Sequence, residues 1–236
     1  MLFRSSLAIR KEIGDRMGEA SCYANLGKVY RSVGEYDKAQ KQFKKALAMM
    51  RGIGYRAGVA SCCLSLGVSF LDFGRYSKAG EYNQEALGIT SEIGDRALKA
   101  SCLRLQGNIL HSIGDCDKAK EYFEEALAIS KEVGDRSEEV RLCVCLGNVL
   151  SKGSEYVRAE EYYKKALSIS EDIGDVPGHF ETLKALASVR LQEGKHQEAI
   201  SYLLASIEKC EEMRASLRDN DQWKISFSDE IGRAHV

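Results

Sequence analysis

The chain has 236 residues, with 34 Lys and Arg against 35 Asp and Glu and a formal net charge of −1. That balance excludes a bulk electrostatic partner such as nucleic acid or an anionic membrane surface. No apolar run reaches the length needed to span a bilayer, so membrane insertion is not expected, and the opening Met1-Leu2-Phe3-Arg4-Ser5-Ser6 lacks the apolar stretch of a secretory signal.

Positions recur at a fixed spacing of forty residues. Gly14 returns as Gly54, Gly94, Gly134 and Gly174; Gly27 as Gly67, Gly107 and Gly147, with Ala187 in the fifth copy. Ala39 returns as Ala79, Ala119, Ala159 and Ala199, and Ala46 as Ala86, Ala126 and Ala166, with Ser206 last. A fixed period in this range marks a stacked-repeat solenoid.

In chain order, residues 1–13 read as half a unit, since Phe3 aligns with Phe43, Leu7 with Leu47 and Ile13 with Ile53. The chain therefore opens on a second helix without its first, an arrangement that leaves apolar surface exposed where natural arrays carry polar caps. Met1 is accordingly expected not to be the native start.

Residues 14–213 hold five units of two helices each. In the first unit the pattern predicts a helix from about Arg16 to Val33, with Ala20, Tyr23, Leu26, Gly27 and Tyr30 on its apolar side. A second follows from about Tyr36 to Ile53, with Tyr36, Ala39, Phe43, Ala46, Leu47 and Met50 together. Glycine is expected to end both, by adopting positive φ without a Cβ clash. Asp15, Asp95, Asp135 and Asp175 stand where a helix N-cap is needed, and Glu138 is placed to complete a capping box with Asp135. Tyr55 breaks that series and predicts the poorest cap. Pro177, the sole proline, falls in a first helical turn, where no ladder donor is lost.

Periodicity stops after Glu211. Residues 214–229 read as a junction to a missing domain, with Trp223-Lys224-Ile225-Ser226-Phe227 alternating like a short strand. Residues 230–236 read as a non-native tail, a translated library adapter joined to a truncated transcript, so the chain is expected to be a fragment.

Of eight cysteines, Cys22, Cys62 and Cys102 occupy one repeat position. Equivalent positions on stacked helices lie roughly 10 Å apart, beyond disulfide reach. Cys62-Cys63 and Cys143-Val144-Cys145 lack the spacing of a zinc site. These residues are expected to be reduced structural thiols in a reducing, cytoplasmic setting, with no metal and no cofactor.

The set Tyr23, Leu26-Gly27, Tyr30, Gly34-Glu35-Tyr36, Ala39, Phe43 and Ala46 resembles the tetratricopeptide repeat, in a form longer than the usual unit of about thirty-four residues. The longer form looks like the arrays of LGN/Pins G-protein signalling modulators, and more closely like tetratricopeptide repeat protein 28-like animal proteins. In the latter a CHAT domain, a caspase-like fold, follows the array, and residues 219–228 resemble the junction into it. The resemblance implies an all-α right-handed α-solenoid, a superhelix of helical hairpins. Its implied role is a protein–protein interaction scaffold that takes a peptide in a concave groove lined by first helices.

Carried over residue by residue, the groove comprises Ser21, Ala24, Lys28 and Arg31; Ser61, Leu64, Val68, Leu71 and Asp72; Ser101, Arg104, Asn108 and His111; Arg141, Val144, Asn148, Ser151 and Lys152; and Glu181, Lys184, Ser188, Leu191 and Gln192. Lys28, Arg31, Arg104, Arg141, Lys152 and Lys184 are basic against the acidic Asp72 and Glu181, which favours an acidic partner peptide. Asn108 and Asn148 carry both donor and acceptor for a peptide backbone. Arg16, Arg96 and Arg136 lie at turns, and related arrays use such arginines at the groove edge. The plain reading of the same arginines is that they pair with nearby carboxylates, and that Glu124-Glu125 and Glu160-Glu161 are solvated helix faces.

The clamp by which chaperone-tail-binding arrays grip a carboxylate would need Arg104, Asn108, Cys145, Glu181 and Ala185, and the last three do not fit. No catalytic constellation appears: His111, His179, His196 and His235 occupy unrelated repeat positions, and there is no phosphate loop or nucleophile elbow. The chain is therefore read as a non-enzymatic scaffold for a protein or peptide partner, with self-association through the unfinished N-terminal helix or the tail also open. The alternatives are the regulatory array of a larger CHAT-domain protein and a G-protein-linked polarity adaptor.

Overall fold

The computed structural model describes residues 2–212 and Ala215, with side-chain surroundings from residue 7 onward. The expected start at Met1 and the tail with His235 lie outside the described residues, as do the junction apart from Ala215 and the side-chain surroundings of Phe3.

Among the described residues eleven helices follow in order: α1 Leu2–Glu12, α2 Arg16–Ser32, α3 Tyr36–Ile53, α4 Arg56–Asp72, α5 Tyr76–Ile93, α6 Arg96–Ile113, α7 Cys116–Val133, α8 Arg136–Lys152, α9 Tyr156–Ile173, α10 Val176–Gln192, and α11 at residues 196–212. Their bounds follow the forty-residue period almost residue for residue. Among the described residues, those up to Glu138 form one compact unit and those from Glu139 onward a second.

In the first unit α2 pairs with α3, α4 with α5 and α6 with α7, each two helices forming a hairpin. The hairpins stack through α3 on α4, α5 on α6, and α4 against α6. The core follows from the small residues of the pattern. Ala20, Ala39, Ala46, Ala60, Ala79 and Ala86 are fully buried and let helix axes approach, while Phe43, Leu66, Phe70 and Leu105 fill the space between them. In the second unit Leu150, Ala159, Tyr163, Leu186 and Val189 form the corresponding core, and α9 pairs with α10.

The turns behave as their chemistry dictates. Gly54 sits at φ 78° and closes α3 by donating its N–H to the Arg51 and Met50 carbonyls. Ser154 takes the same conformation at φ 62°, the one non-glycine to do so among the described residues. Asp15, Asp95, Asp135 and Asp175 each accept from the backbone N–H three residues on. Asp115, which the sequence reading passed over, does the same toward Lys118. Tyr55 makes no side-chain cap bond, nor do Glu35, Arg75 and Glu155. Pro177 stands in the first turn of α10. On α1, Ile9 and the following Ile13 are exposed.

Candidate functional site

Each first helix buries its Gly27-type side against the second helix of its hairpin and leaves another side accessible. On α2 the accessible side carries Ser21, Lys28 and the half-exposed Arg31; on α4, Ser61, Leu64, Val68, Leu71 and Asp72; on α6, half-buried Ser101, Arg104, Asn108 and His111. Leu64, Val68 and Leu71 are only partly buried, packed at the edge of the core. The first unit thus presents an apolar strip on α4 between two polar helices. Lys28 lies close enough to α4 that its charge opposes the burial which pushes the Cys62 thiol up to about 11.

Several of the expected basic groups already hold carboxylates of the chain. Arg31 Nη1 reaches Asp72 Oδ2 at 3.4 Å, tying α2 to α4. Burial raises the Asp72 carboxyl above its ordinary value, and Arg31 pulls it back down. Arg104 donates Nε–H to Glu138 Oε1 at 2.6 Å, with Glu138 buried. Arg96 pairs with Glu132. The basic excess on the first-helix side of this unit is therefore smaller than the residue count implies. Lys28 is exposed and forms no ion pair among the described residues.

In the second unit Arg141, Asn148 and Lys152 are exposed on α8, and Lys184 is exposed on α10. Asn148 accepts a 2.8 Å hydrogen bond from the Tyr163 hydroxyl, so its carbonyl oxygen is committed to its own hairpin. Lys184 donates to both Glu181 oxygens at 3.2 Å and stands over the Phe180 ring. Ser151 donates to Gln192 at 3.0 Å in the register that joins Arg31 to Asp72 three repeats earlier in the pattern.

Arg96 and Arg136 head their helices. Each lies twelve residues before the asparagine of the same helix, about 18 Å along its axis, so neither joins the patch around Asn108 or Asn148. Glu160 is not on a solvated face as its sequence context implied. It bonds Arg190 Nη2 at 2.7 Å and Lys164 at 3.0 Å, whereas Glu124 and Glu125 remain half-exposed. Arg190 is itself buried and also holds Glu193 at 2.5 Å. No periodic signal announced Arg190, because no other repeat has an arginine there.

The turns carry a ladder of pairs, Arg56 with Glu92 and Arg96 with Glu132, each thirty-six residues apart; that Arg96 pairs with a carboxylate was the plain reading, while the partner and the regular spacing were not anticipated. Its signal was present in the forty-residue series Glu12, Glu92, Glu132, Asp172 and Glu212. His179 is buried and shares a 3.1 Å hydrogen bond with Ser170. No group of three or more His, Cys, Asp or Glu is arranged to hold a metal among the described residues, and no described helix is long and apolar enough to cross a membrane.

The repeated hairpins and their accessible first-helix sides define an all-α repeat scaffold of the protein–protein interaction class. A family model for the tetratricopeptide repeat matches residues 1–52, 60–132 and 141–212, and the chain belongs to that family. No curated protein sequence matches it. Among solved structures it is similar to BtubC (BKLC) from P. vanneervenii, with 18% identity and a TM-score of 0.69 over 90% of this chain and 89% of that one. It is similar, too, to a signal transduction ATPase with numerous domains that carries a tetratricopeptide repeat sensor, from Pyrococcus horikoshii, with 18% identity and a TM-score of 0.66 over 92% of this chain and 33% of that one. A Rap protein solved in complex with Competence and Sporulation Factor gives 15% identity and a TM-score of 0.64 over 84% and 66%. At these identities the likeness is one of fold.

Proposed function

We propose that the chain is an interaction scaffold that takes a partner peptide on the accessible side of its first helices. The carrying observation is the strip Leu64, Val68 and Leu71 on α4, left partly exposed between exposed Lys28 on α2 and the polar side of α6. A peptide laid there buries apolar side chains on α4 and meets polar groups on either flank, the usual division of an interface into core and rim. The complex of a fold-related Rap protein with Competence and Sporulation Factor supports the same use of the fold. Lys28 favours acidic over basic peptides.

The test is peptide selection from a displayed library, followed by fluorescence anisotropy with the selected sequence. Lys28→Glu with Val68→Asp should weaken binding more than tenfold while the circular dichroism stays helical. Unchanged affinity in that folded variant would refute the reading. The likeness to a sensor-bearing ATPase favours a second reading, an array that regulates a larger protein. Reading the complete transcript decides it, a downstream α/β domain with a His–Cys pair supporting that reading.

A further inference from the structure

The turn ladder lacks its acidic member in the first hairpin. Arg56 and Arg96 head α4 and α6, and each pairs with the glutamate thirty-six residues on. Arg16 heads α2 in the same register, but the residue thirty-six on is Gly52, where Glu12, Glu92, Glu132, Asp172 and Glu212 mark the acidic positions of the other copies. Arg16 is exposed and has no anionic partner among the described residues.

Space is left where the missing side chain would lie. A Cβ placed on Gly52 meets no heavy atom within 4 Å. Arg16, Glu19, Ala48, Met49, Gly52 and Ile53 line a cavity of about 310 Å³ there. The molecule contains its own comparison: two repeats later Arg96 stands in the equivalent place, and Glu132 holds its guanidinium. In the first notch the remaining walls are Glu19, Ala48, Met49 and Ile53, with the Glu19 charge opposed by Lys11, 3.8 Å away.

We infer that the Arg16–Gly52 notch is a docking site for a glutamate or aspartate side chain of a partner polypeptide, flanked there by an aliphatic residue. The partner supplies the carboxylate that the ladder lacks, and its aliphatic neighbour lies on Met49 and Ile53. A guanidinium fork matches a carboxylate in two parallel hydrogen bonds, and apolar walls favour a side chain over a fully hydrated inorganic anion. This site is separate from the first-helix strip and does not depend on it.

The experiment uses the full chain labelled with ¹⁵N-arginine, reading the Arg16 Nε–Hε resonance assigned by its loss in Arg16→Lys. The probes are acetyl-Leu-Glu-Leu-amide, acetyl-Leu-Gln-Leu-amide and inorganic phosphate. The glutamate peptide should shift the resonance saturably with a Kd on the order of 1 mM, at least tenfold tighter than the glutamine peptide or phosphate. Gly52→Glu should abolish the response by restoring the internal pair, and Lys28→Glu with Val68→Asp should leave it unchanged. An equal response to the glutamine peptide or to phosphate overturns the inference, as does an undiminished response in Gly52→Glu or no saturable shift up to about 10 mM. Loss of the response only in the Lys28/Val68 variant overturns it too, while leaving the first-helix reading intact.

Discussion

The Phe43 ring occupies the space a side chain on Gly27 would need: a Cβ placed on Gly27 falls 2.6 Å from two carbons of that ring. Phe123 covers Gly107, and Tyr163 covers Gly147, in the same way. Glycine is kept there against its own helix propensity, which favours alanine by about 1 kcal/mol. Gly27→Ala should nevertheless destabilise by about 1–2 kcal/mol net, because overpacking a filled core costs more than the propensity returns. Gly88, exposed on α5 with nothing within 4 Å of its Cβ position, is the control. Gly88→Ala should stabilise by about 0.5–1 kcal/mol. Urea melts of both variants test the contrast, and a stabilising Gly27→Ala would refute the packing argument.

This contrast also marks what the sequence could reveal. The period, the helix bounds, the aspartate caps and the turn glycines are local features with a chemical reason at each position, so they were legible without coordinates. The spacing leaves Phe43 free to fill space between neighbouring hairpins or to lie over Gly27 inside its own, and its ring does the latter. Second-helix rotation, which residue spacing does not fix, decides between the two. The candidate site was legible in outline only. Spacing placed Lys28, Arg31, Arg104, Asn108, Asn148 and Lys184 on first helices. Whether a long side chain stays available or turns to a neighbour depends on contacts thirty-four to forty-one residues away, as Arg104 with Glu138 and Arg31 with Asp72 show. Arg190 has no repeat equivalent, and only the structure revealed its carboxylate cluster.

Glu138 is 2% exposed and Arg104 20% exposed, so their 2.6 Å pair is shielded from solvent. Removing one member of a buried pair is costly, since the other keeps its desolvation without its counter-charge. Arg104→Met should therefore destabilise by about 2–4 kcal/mol, and Arg104→Met with Glu138→Met should recover at least half of that loss. A double-mutant cycle by urea denaturation measures it. Additive single losses would mean that the two residues are not coupled.

The thiols of Cys62, Cys63 and Cys102 are pushed by burial up to about 11, 12 and 12, with Glu85 adding to the effect at Cys63. Thiolate is the reactive form, so all three should resist a thiol reagent at pH 8 in the folded protein and react fully in guanidinium chloride. The sign for stability follows from the same shift. A thiol whose folded pKa lies above its unfolded value contributes stability that is complete below about pH 9 and lost as pH rises toward 11–12. Cys102→Ala should flatten that alkaline decline. Rapid labelling of Cys62, Cys63 and Cys102 in the native state at pH 8 would contradict the burial.

Acid should act on the second unit through Arg190. Burial alone would raise the Glu160 carboxyl, but Lys164 and Arg190 together hold it below its ordinary value. The Arg190 hydrogen bond lowers Glu193 as well, with help from Lys195. Carboxyls depressed in the folded state contribute stability that is present above their unfolded value near 4.5 and lost as pH falls through the folded values. Chemical denaturation from pH 7 down to pH 3 should therefore show a progressive loss that begins near pH 4.5. Arg190→Met should reduce stability at pH 7 and make it less dependent on pH below 4.5, because neither carboxylate then has the guanidinium to favour its charged form. If Arg190→Met and the parent chain lose stability in parallel through the acid range, the cluster does not set the acid response.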